Sequence, residues 1–413
     1  MMHRVFSLLF IGALFQAGWG EECRSLDLQT AWQRVLAYAP SIAAADAEIG
    51  IRDAEARQVS LLPNPIAVVE GENLGVKNHD DEAEPPETTF ALSQLIEFGG
   101  KRRARRAFAF SLKDIAYLDS QIERLDMRFT VMTALLDVSI AQEKLKLAYE
   151  KEELAVQILD TFGMLVDGGK ISPIQEKKAQ VALMTAKICV RAALADLGQT
   201  RTRLSSLWGS SCPDFDCVLY ELFDCSPPPC QNRVIENLAH TPDFAKAEQE
   251  ILAATKNLKL QKANGIPDVT LTLGYSVFND SGQHGWIIGA EMPLPFFNCN
   301  QGNIQRARVE ITQAEYQMDE VVRVLRERVL LIHERLVAAF EEGSMIKQGV
   351  LAEALETFDL IHTGYQEGKL ELLDLLEAKK MLFEIQEQYI DILYEYHLNK
   401  AELARFCENY EIN

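Results

Sequence analysis

The sequence lacks any long apolar run. After residue 17 no stretch approaches the ~18 uninterrupted apolar residues that a membrane-spanning helix needs. It also lacks net positive charge: 41 Lys and Arg stand against 61 Asp and Glu, a formal charge of −20. A chain whose main partner is nucleic acid needs a basic surface to neutralise phosphate, so that class is excluded. There is no nucleophile elbow, no H-E-x-x-H and no phosphate-binding loop. Gly99-Gly100-Lys101 lacks the preceding glycine spacing of such a loop. Of seven histidines one is His3, and the other six form no His/Met cluster along a face. Catalysis, a cofactor and a resident metal site are therefore not expected.

At 413 residues, 48% hydrophobic and 25% charged, the composition is that of a folded chain. Its first residues read as an export signal. His3 and Arg4 form a basic start, Val5 to Ala17 is mostly apolar and too short to span a bilayer, and Gly18-Trp19-Gly20 supplies small residues for cleavage before Glu21. Residues 1–20 are thus expected to be a signal peptide. Glu21-Glu22 before Cys23 does not resemble a lipobox, so no lipid anchor is expected. Export favours disulfides among Cys212, Cys217, Cys225 and Cys230, with the pairing open; zinc is the rival, disfavoured by the lack of nearby His.

The chain is a duplication. "LAYAPSIAAADAEI" (from Leu36) matches "LAHTPDFAKAEQEI" (from Leu238), and Leu62-Pro63 matches Ile266-Pro267. Gly99 faces Gly302, Arg103-Ala104-Arg105 faces Arg306-Ala307-Arg308, and "GKISPIQEKKA" (from Gly169) faces "GKLELLDLLEA" (from Gly368). The repeats are placed at 21–206 and 233–413, with a Cys- and Pro-rich linker at 207–232. Each half should begin with a helix, Leu28 to Leu62 and Arg233 to Asn264, stopped by Pro63 and Pro267. Two strands and a long helical hairpin should follow.

Val269 to Val277 alternates apolar and polar residues, and after the turn "FNDSGQHG" the alternation resumes at Trp286, Ile288 and Ala290. Pro65 to Leu74 and Thr88 to Phe98 play these parts in the first half, around an acidic loop from Gly75 to Glu87. Ile115, Leu118, Ile122, Leu125, Phe129, Met132 and Leu136 step at coiled-coil spacing, as do Ile304 to Leu325 and Leu382 to Tyr396. Gly302 to Thr363 holds no Pro and as one helix would run roughly 90 Å. Strands that face lipid must close into a barrel, and single-chain barrels start at about eight strands. Four strands per chain therefore predict an oligomeric barrel: a mainly α fold with a membrane β portion.

These segments resemble the TolC-like outer-membrane efflux proteins, especially the heavy-metal branch of the cobalt–zinc–cadmium type. The resemblance rests on "LPNPIAVVEGENLG", "SQLIEFGGKR", "SLWG", "IPDVTLTLGY", "MPLPFFNCNQGNIQRA" and "TGYQEGKLELLDLLEA", in order along nearly the whole chain. It implies a homotrimer, with a twelve-stranded barrel in the outer membrane continued by a helical periplasmic tunnel. It implies a passive duct, not an enzyme, whose hairpin tips dock on a periplasmic adaptor leading to an inner-membrane pump of the resistance-nodulation-division type. The tips would be Asp167 to Pro173 and Gly364 to Leu373, with Gly169, Lys170, Ser172, Gly364, Gly368, Lys369 and Asp374 as docking residues. Glu371 stands where a small hydroxyl residue is usual. Asp167, Glu367, Glu371 and Asp374 either ring a cation-favouring entrance or form a solvated tip. Gly99, Gly100, Lys101, Arg102 and Gly302 would form the joint between barrel and tunnel, its basic side chains near anionic lipid head groups, with Glu97 as compensation at the helix start. The rival is a structural or adhesive coiled-coil protein of the envelope; a periplasmic adaptor would not be duplicated in this way.

Overall fold

The computed structural model describes residues 24–74, 86–278 and 282–406. The expected signal peptide, Cys23, most of the Gly75 to Glu87 loop and the tip of the "FNDSGQHG" turn lie outside the described residues. In chain order the first half holds β1 (Ser25–Leu26), α1 (Leu28–Tyr38), α2 (Pro40–Gln58), β2 (Ile66–Glu72), β3 (Glu87–Ile96), α3 (Lys101–Asp167) and α4 (Pro173–Ser206). A short β4 (Cys217–Val218) follows in the linker. The second half holds α5 (Gln231–Asn237), α6 (Pro242–Asn264), β5 (Val269–Phe278), β6 (His284–Glu291), α7 (Gln301–Met345), α8 (Leu351–Gln366) and α9 (Leu372–Ala404). Among the described residues no helix is long and apolar enough to cross a membrane.

Three details differ from the sequence reading. The opening helix of each half is broken. Ala39 is extended (ψ 115°) ahead of Pro40, and Thr241 (ψ 147°) ahead of Pro242. A proline disfavours helical backbone in the residue before it and favours the first position of a new helix. Both prolines lie in the repeated LAxxP match, so the signal was present. The long helix of the second half is also interrupted, by a π turn at Ile346–Val350. The Lys347 ammonium there donates to the Phe223 carbonyl at 3.4 Å. Finally, Cys212, Cys225 and Cys230 carry free thiols, so the expected linker disulfides are not formed. Each cysteine is carried by a different feature: Cys212 follows α4, Cys217 pairs with Ser25 in β4, Cys225 packs near Tyr396, and Cys230 precedes α5.

The linker does more than separate the repeats. Trp208, Phe215 and Val218 are buried with Val35, Leu135 and Leu204 in the first-half core. Leu222 enters a cluster that joins Leu136 and Ile140 of α3 to Phe383, Ile390 and Leu393 of α9. His397 Nε2 donates to the Leu222 carbonyl at 2.8 Å, leaving Nδ1 facing the Tyr220 hydroxyl at 3.3 Å. The Tyr396 hydroxyl donates to the Ser226 carbonyl at 2.7 Å. At the C-terminal end the Arg405 side chain, 7% exposed, bridges Asp126 of α3 and Asp243 of α6. The two halves are thus tied by buried polar contacts as well as by apolar packing.

Candidate duct wall, joint and hairpin tips

The four long strands form one antiparallel sheet in the order β2-β3-β5-β6, so β3 and β5 join the two repeats and β2 and β6 are its edges. Register assigns the faces. Val69, Phe90, Tyr275 and Trp286 lie opposite one another in one row, and Ala67, Leu92, Leu273 and Ile288 in the next. Most of these large side chains are exposed: Leu92 and Leu273 are each 53% accessible, Trp286 72% and Ile288 84%, with Tyr275 half-buried. The other face carries Glu70, Thr89, Ser276 and Gly285 in one row, and Ser93 and Thr272 in another. There Thr89 and Ser276 hydroxyls bond at 2.7 Å, and Ser93 and Thr272 at 2.9 Å. One apolar row, Val68, Ala91, Gly274 and Ile287, interrupts the polar face. None of the four strands contains Lys or Arg, whereas Glu70, Glu72, Glu87 and Glu291 all fall on the polar face. One apolar face and one hydroxylated, acidic face is the pattern of the walls of pore-forming barrels in lipid. β5, with 10 residues, spans about 25 Å when tilted, the height of an outer-membrane apolar band.

Below the sheet the chain turns into α3. Gly99 (φ 70°) and Gly100 (φ 72°) are both left-handed, a conformation that disfavours residues with a Cβ. At Gly99 a Cβ would also lie 2.6 Å from Ile266 Cδ1. Four basic side chains of the cluster then have distinct fates. Lys101 is only 8% exposed, and its ammonium sits 2.7 Å from the Asp268 carboxylate. The Phe98 amide donates to the same carboxylate at 3.0 Å. Arg102 donates to the Ser60 carbonyl. Arg105 donates to the Val59 carbonyl at 3.2 Å and grips the Glu97 carboxylate with both terminal nitrogens. This bond to Glu97 holds the Arg105 guanidinium above its ordinary pKa. Arg106 is exposed and lies over the Phe110 ring. The negative charges of Glu97 and Asp268 offset cations that the positive helix start would otherwise repel.

The second-half joint is built differently. Its left-handed residue is Asn300 (φ 61°), which caps α7, while Gly302 lies inside the first turn of that helix. Gly302 is therefore not the conformational counterpart of Gly99. The connection from β6 to α7 runs through residues 292–300, against 97–100 in the first half, and this shifts the sequence match off the structural joint. Asn300 Nδ2 donates to the Gln261 carbonyl at 2.8 Å, holding α7 to α6. Asp268, which sequence reading passed over, stands directly after the recognised Ile266-Pro267 pair and meets Lys101 only through the fold.

At the other end both hairpin tips close alike. Gly169 (φ 66°) and Gly368 (φ 72°) follow the helix ends. Lys170 N donates to Leu165 O and Lys369 N to Gly364 O, each at 2.9 Å, the six-to-one bond of a Schellman ending. Ser172 caps α4 by accepting from the Ile174 amide at 3.3 Å. In the second tip Glu371 takes the equivalent cap position, in a capping box with Asp374. The Glu371 amide donates to the Asp374 carboxylate at 3.0 Å. Glu367 pairs with Lys369 at 2.5 Å. Gly364 packs against Leu370, whose Cδ1 would lie 2.7 Å from an added Cβ. Asp167, Glu367, Glu371 and Asp374 are all exposed. Among the described residues no group of His, Cys, Asp and Glu is placed to hold a metal ion.

Residues 31–210 and 235–407 each match the outer membrane efflux protein family. The chain belongs to that family. It is 29% identical to the cobalt-zinc-cadmium resistance protein CzcC of Cupriavidus metallidurans over 356 residues, 86% of this chain and 83% of that one. It is 26% identical to the nickel-cobalt-cadmium resistance protein NccC of Alcaligenes xylosoxydans, over 70% of this chain and 65% of that protein. Among solved structures, CusC superposes with a TM-score of 0.76 at 18% identity, covering 96% of this chain and 95% of that chain. VceC from Vibrio cholerae superposes with a TM-score of 0.73 at 18% identity, covering 92% and 95%. The fold is therefore that of the TolC-like channels. As a family member the chain is an outer-membrane efflux protein, a non-enzymatic transport duct that reaches into the periplasm. Members of the family act with an adaptor and an inner-membrane pump in tripartite efflux systems.

Proposed function

We propose that the chain works as a homotrimer, the exit duct of a heavy-metal cation efflux system driven by a resistance-nodulation-division pump. The observation that carries the trimer is the open sheet. It has one exposed apolar face, and its β2 and β6 edges have no partner strand within the chain's described residues. Lipid does not tolerate unpaired strand edges, and three copies of four strands close a twelve-stranded barrel. The structural coiled-coil alternative leaves that apolar face unexplained. Metal as cargo is supported by the named relatives and by the acidic polar face, which favours cations. The adaptor would meet the tips at Gly169, Lys170, Ser172, Gly364, Gly368, Lys369 and Asp374. The tip carboxylates Asp167, Glu367, Glu371 and Asp374 would face the entrance. Exposed Arg103 and Arg106 would meet anionic head groups, while Lys101 is committed to Asp268. Residues 1–20 would be removed on export, and 21–206 and 233–413 would be the two repeats around the 207–232 linker.

Bilayer conductance of the purified protein, with a subunit count by chemical cross-linking, tests the duct. A closed membrane or a count other than three overturns it. Loss of cobalt, zinc and cadmium resistance on gene deletion, restored by the gene, tests the cargo; unchanged metal resistance with lost drug resistance would refute it.

A further inference from the structure

The trimer reading says that β6 of one copy meets β2 of the next but not in which register. The duplication supplies it. Pro63 precedes β2 as Pro267 precedes β5, which lays Val69 on Leu273. Val69 pairs with Phe90 as Leu273 pairs with Ile288, which lays β3 on β6, with Phe90 on Ile288 and Leu92 on Ala290. The joint of the two repeats inside the chain is the β3–β5 ladder, in which Phe90 opposes Tyr275, Leu92 opposes Leu273 and Ser93 opposes Thr272. Carrying that ladder through the repeat places Ile288 opposite Gly71, Ala290 opposite Val69 and Glu291 opposite Val68 of the next copy.

We infer that the β6 edge takes up the β2 edge of a second copy in this register, with Ala290 facing Val69. Three observations on the edges agree with it. First, the faces match. Ala290 and Val69 both belong to the exposed apolar face, while Glu291 and Val68 both belong to the face that carries the hydroxyls. A slip of one residue would set apolar against polar faces along the whole seam. Second, the direction matches: β6 runs antiparallel to β5 and β2 antiparallel to β3, so β2 of the next copy lies antiparallel to β6. Third, the ladder ends where it must. In this register Pro293 opposes Ile66, the first residue of β2, so the prolines of residues 292–298 fall at the end of the seam and not within it. Proline is tolerated there because it has no N–H to give. Every residue of β2 is exposed, as an edge awaiting cover requires.

The inference rests on the trimer reading, and the test separates the two. Ala290→Cys and Val69→Cys are combined in the full-length chain with its native cysteines replaced by serine, and the purified protein is oxidised. Directly opposed residues have Cα atoms about 4.5–5.5 Å apart, within disulfide reach, whereas a two-residue diagonal lies beyond it. The expected result is a heat-resistant, reducible ladder ending at a covalent trimer, absent from either single variant. Ala290→Cys with Ala67→Cys, or with Gly71→Cys, should give at least tenfold less. Stronger cross-linking in either slipped pair, or none in any pair while the count stays three, overturns the register. A subunit count other than three overturns the trimer itself. If the Ala290/Val69 pair does not fold, Glu291→Cys with Val68→Cys makes the same test from the polar face.

Discussion

The ion pair of Lys101 and Asp268 ties the first repeat to the second at the level where sheet becomes helix. The two side chains are 10% and 20% exposed and 2.7 Å apart. Removing one partner of a buried pair costs about 3–5 kcal/mol, while an exposed pair is worth about 0–1 kcal/mol. This pair is mostly covered, so Lys101→Met should cost about 2–3 kcal/mol. Asp268→Ala should cost more, about 3–4 kcal/mol, because it also strands the Phe98 amide that the carboxylate accepts at 3.0 Å. Asp268→Asn keeps an acceptor for that amide. The double variant Lys101→Met/Asp268→Asn carries no charge at either position and should cost only about 1 kcal/mol, less than Lys101→Met alone. Asp268→Asn alone should also cost about 2–3 kcal/mol, because it leaves the covered Lys101 ammonium unpaired, so the cycle predicts a coupling of about 3–5 kcal/mol. Denaturant unfolding of the detergent-solubilised protein, followed by tryptophan fluorescence, measures all four forms. A coupling below about 0.5 kcal/mol, or a double variant as weak as the worse single one, would refute the clamp.

Other predictions address the turn, the linker and the pore. Gly99→Ala should destabilise by about 2–4 kcal/mol, adding the cost of a left-handed alanine to the clash with Ile266; the same unfolding assay checks it, and shortening Ile266 to Ala should recover part of the loss. Burial drives the His397 imidazole down from 6.5 to about 4. A histidine whose folded pKa is depressed contributes stability that is whole above about 6.5 and lost as pH falls towards 4, here about 3 kcal/mol. Limited proteolysis of the linker between pH 7.5 and 4.5 should show accelerating cleavage, and His397→Phe should flatten that profile; a flat wild-type profile would disprove the anchoring role. Replacing Glu70, Glu72, Glu87 and Glu291 by Gln should move the zero-current potential in a KCl gradient towards zero. An unchanged potential would place cation preference elsewhere.

Much of this architecture is legible in the sequence because its periods are strong. Val269 to Val277 alternates cleanly, and its faces in the sheet follow that alternation residue by residue. The glycine at each tip reads as a reversal, since only a left-handed residue there lets the following amide reach back to the helix. What stayed hidden depends on contacts between distant segments. Nothing near Lys101 in sequence announces Asp268, and Arg405 finds Asp126 and Asp243 only after both repeats have folded. The Gly302 match misled because residues match by type while the joint is set by backbone conformation, which Asn300 supplies. The π turn at Ile346–Val350 has no local signature beyond nearby Gly343 and Gly349. It meets the linker through Lys347, a long-range contact.

The repeat also explains why the two kinds of joint in the proposed trimer differ in charge. Inside a chain, Lys101 after the left-handed Gly100 meets Asp268 after Pro267. The corresponding residues on the open edges are Gln301, after left-handed Asn300, and Asn64, after Pro63. Both are exposed. Gln301 already closes its own turn, accepting from the Cys299 amide at 2.8 Å and donating to the Phe297 carbonyl at 3.0 Å. An ionic joint suits contacts made as one chain folds, because the partner is always present to offset desolvation. On an edge that must wait for another copy, an unmatched lysine or aspartate would hold water until assembly and resist burial beside lipid. Neutral amides avoid that cost. In the proposed trimer, the charge of the first joint and the neutrality of the second suit contacts made in that order, folding first and assembly after.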